Sequence, residues 1–424
     1  MTLWGPDPSS SSLTQQYTEE EKELEQKLLP YDILGNLAHV RMLEKQGYLE
    51  KEELEEVEKV LKKIYEKKPE VEAEDVHTFV EEKVTAETSA GKKMHTGRSR
   101  NDQVVLDTRL FMKDASIEVA EKGLELVKAL EKFGEEENTL IPGYTHQQQA
   151  MPSSTGLWAS SFADSLVDDL KLLKSTYEIL DQNPLGAAAG YGTSLDIDRE
   201  YTAELLGFSS VQENSLYCVN RGKPELMLLQ ILNQVMMDIG KMSEDIINFS
   251  EDQEIFQIPE EFTTGSSIMP QKENPDILEI ARGKSEEVNA HQQALFGVIS
   301  KLPSGYNRDT QLTKKHLFET VESVIETFEI LKNLVSGLGV SENFELKDEV
   351  FAAYTANQMA ENGAAFREAH HEVKENEEYV KNQELKQPRN QGYEGLESFW
   401  QDEKESFHEV KASLLGNSFE TSRE

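Results

Sequence analysis

The feature that most constrains this chain is an i, i+3, i+4 spacing of apolar residues sustained over unusually long stretches. Val104, Leu106, Leu110, Phe111, Ile117, Ala120, Leu124, Val127 and Leu130 form one such stripe. Leu226, Leu229, Ile231, Leu232, Val235, Met236, Ile239, Met242, Ile246 and Phe249 form a second, apolar around much of the circumference. The stretch from Leu312 to Leu338 supplies a third. A helix that is apolar on several sides needs neighbours on each of them. The pattern therefore predicts an all-α helix bundle with subunit contacts inside it. Strand-like alternation is short and rare. The 424 residues exceed what one hydrophobic core organises, so two or three domains are expected.

Composition narrows the partners. A net charge of −37 excludes nucleic acid, whose phosphates require a basic surface. Much of the acid is Glu interleaved with Lys, as in Glu50 to Lys68. Two readings of this are open: a solvated helical surface, or adaptation to high salt that screens self-repulsion. No uncharged apolar run reaches membrane-spanning length. The single cysteine, Cys218, precludes an internal disulfide and fits a reducing, cytoplasmic location. Met1 to Ser12 lacks the pattern of a signal peptide and reads as a polar tail. Ala412 to Glu424 reads as a frayed end.

The breaks between helices are rich in Gly and Pro and carry most of the chemistry-bearing residues. In Thr263-Thr-Gly-Ser-Ser-Ile-Met-Pro-Gln-Lys-Glu-Asn-Pro275 four hydroxyls flank one glycine. Lys272 and Asn274 sit two apart, so in an extended stretch they share a side. A cation beside an amide donor suits a carboxylate, or the doubly charged aci-carboxylate formed when the adjacent carbon loses a proton. His95-Thr-Gly-Arg-Ser-Arg-Asn-Asp-Gln103 puts Arg98, Ser99, Arg100 and Asn101 at the expected start of the first long helix, a natural anion site. Pro142-Gly-Tyr-Thr-His-Gln-Gln-Gln-Ala-Met-Pro152 offers Thr145 and His146 for general acid–base work. In Tyr306-Asn-Arg-Asp-Thr-Gln-Leu-Thr-Lys314, Gln311 and Lys314 lie one helical turn apart. Each segment alone is also compatible with a polar connector or a surface ion pair.

Taken together and in order, these segments resemble the fumarase/aspartase superfamily over nearly the whole chain. Gly265-Ser-Ser-Ile-Met-Pro-Gln-Lys-Glu-Asn-Pro275 is similar to that superfamily's signature loop. His95 to Val104, Gly143-Tyr-Thr-His146, Tyr306-Asn-Arg-Asp309 with Gln311, and Phe366-Arg-Glu-Ala-His370 narrow the resemblance to the argininosuccinate lyase family. Pro30-Tyr-Asp-Ile33 with Ala38-His39, and Glu74-Asp-Val-His77, resemble the N-terminal domain of that family. The resemblance implies three helical domains, drawn here at residues 1–97, 98–344 and 345–424. Their long central helices would form one bundle shared by a homotetramer. It implies β-elimination of argininosuccinate to fumarate and L-arginine, with no metal and no organic cofactor. The alternatives are another fumarate-releasing lyase, such as adenylosuccinate lyase, or a non-catalytic structural protein like the lens delta-crystallins.

Carried over by motif position, Ser266 is the base that removes the Cβ proton, and Lys272 and Asn274 stabilise the aci-carboxylate. His146 resembles the family's active-site histidine and Glu279 its carboxylate partner; which group protonates the leaving nitrogen is open. Ser99, Arg100, Asn101 and Thr145 would hold substrate carboxylates, and Tyr306, Gln311 and Lys314 the argininyl end. Asp75 would order the site from the N-terminal domain. Four departures stand out. Gln147, Gln148 and Met151 replace the usual residues around the histidine. Val219-Asn-Arg-Gly-Lys223 stands where an Arg-Asp pair is usual, which leaves Arg221 as a candidate ligand. Thr18 to Lys22 is wholly polar where a short substrate-contacting segment is common. Leu312 and Thr313 stand where an acid is common.

Overall fold

A computed structural model describes the backbone of residues 12–381 and 391–416, with side chains from residue 24 onward. Met1 to Ser11, the side chains of Thr18 to Lys22, and the last residues of the expected frayed tail lie outside the described residues. The chain opens with α1 (Ser12–Lys45), α2 (Lys51–Lys67) and α3 (Val76–Glu87), then enters α4 (Arg100–Glu136). A hairpin of β1 (Leu140–Thr145) and β2 (Gln148–Ser154) leads into α5 (Thr155–Leu180). A looser segment holds β3 (Gln182–Asn183), α6 (Arg199–Leu205), β4 (Ser210–Val211) and α7 (Ser215–Cys218), with β3 and β4 paired in parallel. Next comes α8 (Lys223–Glu251), followed by β5 (Phe256–Gln257), β6 (Thr264–Gly265) and β7 (Glu273–Asn274). After these run α9 (Asp276–Ile299), α10 (Thr313–Gly337), β8 (Gly339–Val340), α11 (Ala352–Glu361), α12 (Phe366–Asn376) and α13 (Glu394–Leu415). The antiparallel pairs β5–β8 and β6–β7 are two residues long, so the architecture is predominantly helical with long central helices. Among the described residues no helix is long and apolar enough to cross a membrane.

The three apolar stripes fall on α4, α8 and α10. The longest helix, α4, has 37 residues. Its start is set locally: Ser99 Oγ accepts from Asn101 N, and Asp102 reaches back to Ser99 N at 2.8 Å. Asp102 also accepts from the backbone N–H of Gly186 and Ala188, which pins the loop after β3 to this helix end. The first long helix is α1, not α4; it has 34 residues and runs through Pro30. A proline inside a helix costs roughly 3 kcal/mol. The complete burial of Leu28, Ile33, Leu34 and Leu37 around it offsets that cost. The expected fraying is also corrected in part. Ala412 to Leu415 finish α13, with Leu414 and Leu415 buried in the main core because the helix returns against α1 and α4. By contrast α11 and α12 share a small core of Ala356, Ala369 and Val373.

Between α1, α3 and α4 lies a buried polar network. His77 Nδ1 is 2.8 Å from Asp32 Oδ1 and 3.5 Å from Asp107 Oδ2. Asn36 Nδ2 donates to Asp32 Oδ2, and Asn36 Oδ1 accepts from the buried Arg98 guanidinium at 2.6 Å. Burial alone would lower the His77 pKa, but Asp32, Asp107 and Asp75 outweigh it and push it up to about 9. The unfolded chain loses that proton near pH 6.5. Stability from this pairing is thus fully present below about pH 6.5 and is lost as pH rises toward 9. Urea unfolding of the wild type should lose on the order of 3 kcal/mol between pH 6.5 and 9.5. His77→Gln, with no proton to lose, should be weaker at pH 7 and nearly flat across that window. A wild type whose stability does not fall over this range contradicts the pairing.

Candidate functional site

The sequence-predicted site residues collect at two places. The first is built around the start of α4. Arg100 Nη1 donates to Asp75 Oδ2 at 3.0 Å, and Asp75 caps α3 by accepting from Thr78 N and Thr78 Oγ1, both at 2.7 Å. Burial raises the Asp75 pKa, but His77, Arg100 and the Thr78 hydrogen bonds prevail and hold it below the usual range. His95 is neutral at physiological pH. Its burial, with Arg98 and Arg100 nearby, pushes its pKa down to about 3. Ser99 and Asn101 complete this face at the helix N-terminus, where partial positive charge favours a carboxylate.

The 306–314 segment docks beside it. Arg308 lies 3.5 Å from Glu74, and the buried Lys314 pairs with the buried Glu25, which also accepts from Val76 N at 3.2 Å. Gln311 sits in a 3-10 turn rather than on the helix with Lys314, and its buried Oε1 has no hydrogen bond among the described residues. Tyr306 is partly exposed. Glu25, Asp32 and Asp107 were not singled out from the sequence. Their partners lie tens to hundreds of residues away, so no local spacing reveals them. The donor atoms of Asp32, His77 and Asp107 lie within 4.8 Å of one another, the spacing of a cation site. There a protonated imidazole already supplies the positive charge.

The second place lies beyond the far end of α4. Thr145 and His146 sit at the tip of the β1–β2 hairpin, with His146 at φ 52° and Gln147 at φ 60°. Tyr144 OH donates to Gln253 at 2.7 Å, tying the hairpin to the end of α8. The signature loop follows in sequence. It is a tight ribbon in which β6 pairs with β7 and Ser266 N donates to Lys272 O at 3.3 Å. Ser266 Oγ accepts from Met269 N at 3.1 Å and from Ile268 N at 3.4 Å. Asn274 Nδ2 donates to Thr264 O at 3.1 Å, and the Lys272 side chain is exposed. Glu279 is exposed in the first turn of α9. Two N–H groups aimed at a hydroxyl oxygen favour its anionic form, the condition for a serine to act as a base.

Within one chain these two places stay apart. A 37-residue helix at about 1.5 Å per residue spans about 55 Å. Ser99, Arg100 and Asn101 stand at its beginning, and Thr145 and His146 follow its end. Neither His146 nor Glu279 has a side-chain partner among the described residues, so the structure does not bring that pair together within the chain. Asp75 and Arg100 are brought together, as are Ser266, Lys272 and Asn274 in one ribbon.

Comparison with known proteins bears on the family and the fold. Residues 7–289 match the family described as Lyase. The chain is 39% identical to an argininosuccinate lyase of Bacteroides fragilis strain YCH46 over 366 residues, covering 83% of this chain and 82% of that one. It is also 39% identical to an argininosuccinate lyase of Thermotoga neapolitana over 369 residues, covering 83% and 92%. The fold is similar to that of EDDS lyase in complex with formate, with TM-score 0.73 and 20% identity over 95% of this chain and 91% of that one. It is similar as well to class II fumarase from Schistosoma mansoni, with TM-score 0.72 and 17% identity over 84% and 88%. Fold and family are consistent with fumarate-releasing lyase chemistry. The chain belongs to the fumarase/aspartase superfamily of lyases, in its argininosuccinate lyase family.

Proposed function

We propose that this protein is an argininosuccinate lyase that cleaves a C–N bond by β-elimination, releasing fumarate and L-arginine. The observation that carries the reading is the Ser266 ribbon. A hydroxyl receives two backbone N–H groups, and Lys272 and Asn274 stand on the facing side of the same loop. Ser266 Oγ removes the Cβ proton, and the electron pair left behind moves into the adjacent carboxylate as an aci-carboxylate held by Lys272 and Asn274. That pair then forms the C=C bond as the C–N bond breaks, and the departing guanidino nitrogen takes a proton. His146, with its imidazole oriented by Glu279, supplies acid–base capacity in the same site. Thr145, Ser99, Arg100 and Asn101 hold the succinyl carboxylates, with Arg100 positioned by Asp75. Tyr306, Gln311 and Lys314 face the argininyl end. No metal or organic cofactor enters this scheme, and the one buried thiol, Cys218, fits a cytoplasmic enzyme.

The site is assembled between subunits of a homotetramer. A rigid helix of about 55 Å separates the Arg100 and His146 segments in one chain. Exposed apolar residues lie on the central helices: Leu157, Leu172 and Ile179 on α5, Met237 on α8, and Ile280 and Phe296 on α9. Faces of this kind mark association surfaces. Antiparallel packing of chains along them brings the beginning of one α4 to the hairpin and ribbon of others.

Two experiments test this reading. Ser266→Ala should lower kcat for fumarate release, followed by ultraviolet absorbance, by on the order of a thousandfold, because the hydroxyl acts on the transition state. Calorimetric affinity for argininosuccinate should stay within about threefold of wild type. A variant that keeps more than about a tenth of kcat removes Ser266 from the role of base. The second experiment mixes His146→Asn and Ser266→Ala, each inactive alone, under conditions that exchange subunits. Random equal mixing gives an intact His146 half the time and an intact Ser266 half the time, so about a quarter of wild-type activity should return. Mixed tetramers confirmed by mass spectrometry but still inactive would mean that the His146 and Ser266 of a site come from the same chain.

A further inference from the structure

Arg221 is 7% exposed, and none of its three guanidinium nitrogens has a hydrogen-bond partner among the described residues. A buried guanidinium left unpaired is costly, because water has been removed and nothing replaces it. Its acidic neighbours are engaged elsewhere. Glu225 accepts from Gly222 N at 2.9 Å, and Glu25 pairs with Lys314. Arg221 borders a cleft that opens between the start of α8 and the turn after α9, lined also by Tyr217, Asn220, Lys223, Leu302 and Thr310. The close approach of those two elements depends on Gly222, at φ 99°, where a Cβ would lie 2.3 Å from Ile299 Cγ2.

The charge of this cleft runs against the rest of the chain. In a protein of net charge −37, it presents Arg221, Lys223 and the N-terminus of a 29-residue helix. One residue beyond Thr310 is Gln311, whose buried Oε1 lacks a donor among the described residues. Among the described residues, an unpartnered guanidinium and an unpartnered amide oxygen in one neighbourhood complement a carboxylate and an ammonium borne on one carbon, as in a free α-amino acid.

We propose that Arg221 binds the α-carboxylate of the arginine moiety in substrate and product, and that this contact makes the site specific for a free amino acid over its decarboxylated analogue. The proposal rests on the argininosuccinate lyase reading and deepens it. Arg221 is a binding residue here and takes no part in proton transfer.

The test uses the purified full-length protein with L-arginine, agmatine and fumarate as separate calorimetric ligands; agmatine keeps the guanidinium and lacks the carboxylate. Wild type should bind L-arginine at least about thirtyfold more tightly than agmatine. Arg221→Gln should lose about that factor for L-arginine, change agmatine by less than about threefold, and leave fumarate unaffected. Arg221→Lys, which keeps the charge without the fork, should fall between the two. Equal weakening of L-arginine and agmatine in Arg221→Gln would overturn the proposal, since the residue would then be supporting the fold. Wild type with no preference for L-arginine over agmatine would overturn it without any variant, even if Arg221→Gln failed to fold. The two readings fail separately. Wild type that releases no fumarate from argininosuccinate, yet prefers L-arginine through Arg221, would refute the activity and keep the contact. Active wild type without that preference would do the reverse.

Discussion

Everything in this structure is arranged around a helix that is buried on nearly every side. Along α4 the buried residues include Asp102, Asp107, Arg109 and Lys113 as well as the apolar stripe. An ion carried into the core is tolerated only if it is answered there. Asp102 takes three backbone N–H groups, and Arg109 donates to the carbonyls of Leu180 and Gln182. Lys113 donates to Gly207 O at 2.8 Å and pairs with Asp181. These partners lie on the segments leaving α5 and following α6, so satisfying the charges of α4 also fixes how the connecting loops return to it.

The same constraint reaches the candidate site. Asp75 and His77 stand two residues apart at the start of α3 and divide two tasks. His77 turns inward to Asp32 and Asp107, while Asp75 faces Arg100. The protonated His77 helps hold Asp75 ionised, so a charge in the core stabilises the anion that orients a surface arginine. Lys314 is anchored in a similar way, since Glu25 ties it to α1 and Val76 N ties Glu25 to α3. Rigid positioning of this kind suits carboxylate recognition, because each group is held in place before substrate arrives. Arg221 differs, a buried cation whose guanidinium has no hydrogen-bond partner among the described residues.

Helix existence, and the identity of the chemically equipped segments, were legible in the sequence because both depend on local order. Apolar spacing of about 3.6 residues reports which face is buried, and a Ser followed three residues later by Asp marks the start of α4. The signature segment stood out by its clustered hydroxyls, Lys272 and Asn274, which are close in sequence and lie in one ribbon. Other features gave no such signal. The His146 segment reads as a polar loop, and two prolines and a register shift at Gly143 and Tyr144 mask the hairpin that it forms. A proline inside a helix is locally unfavourable, yet α1 continues through Pro30 because long-range burial outweighs that penalty.

What the sequence determined by itself was the helical class, the family, and which residues are equipped for chemistry, since each is encoded in neighbouring positions. Tertiary structure alone decided which of those residues meet. It paired Arg100 with Asp75, committed Lys314 to Glu25 across 289 positions, and set Arg221 beside a cleft with no hydrogen-bond partner among the described residues. The physical reason is that a buried charge is stabilised by whatever lies a few ångströms away after folding, and separation along the chain carries no information about that distance.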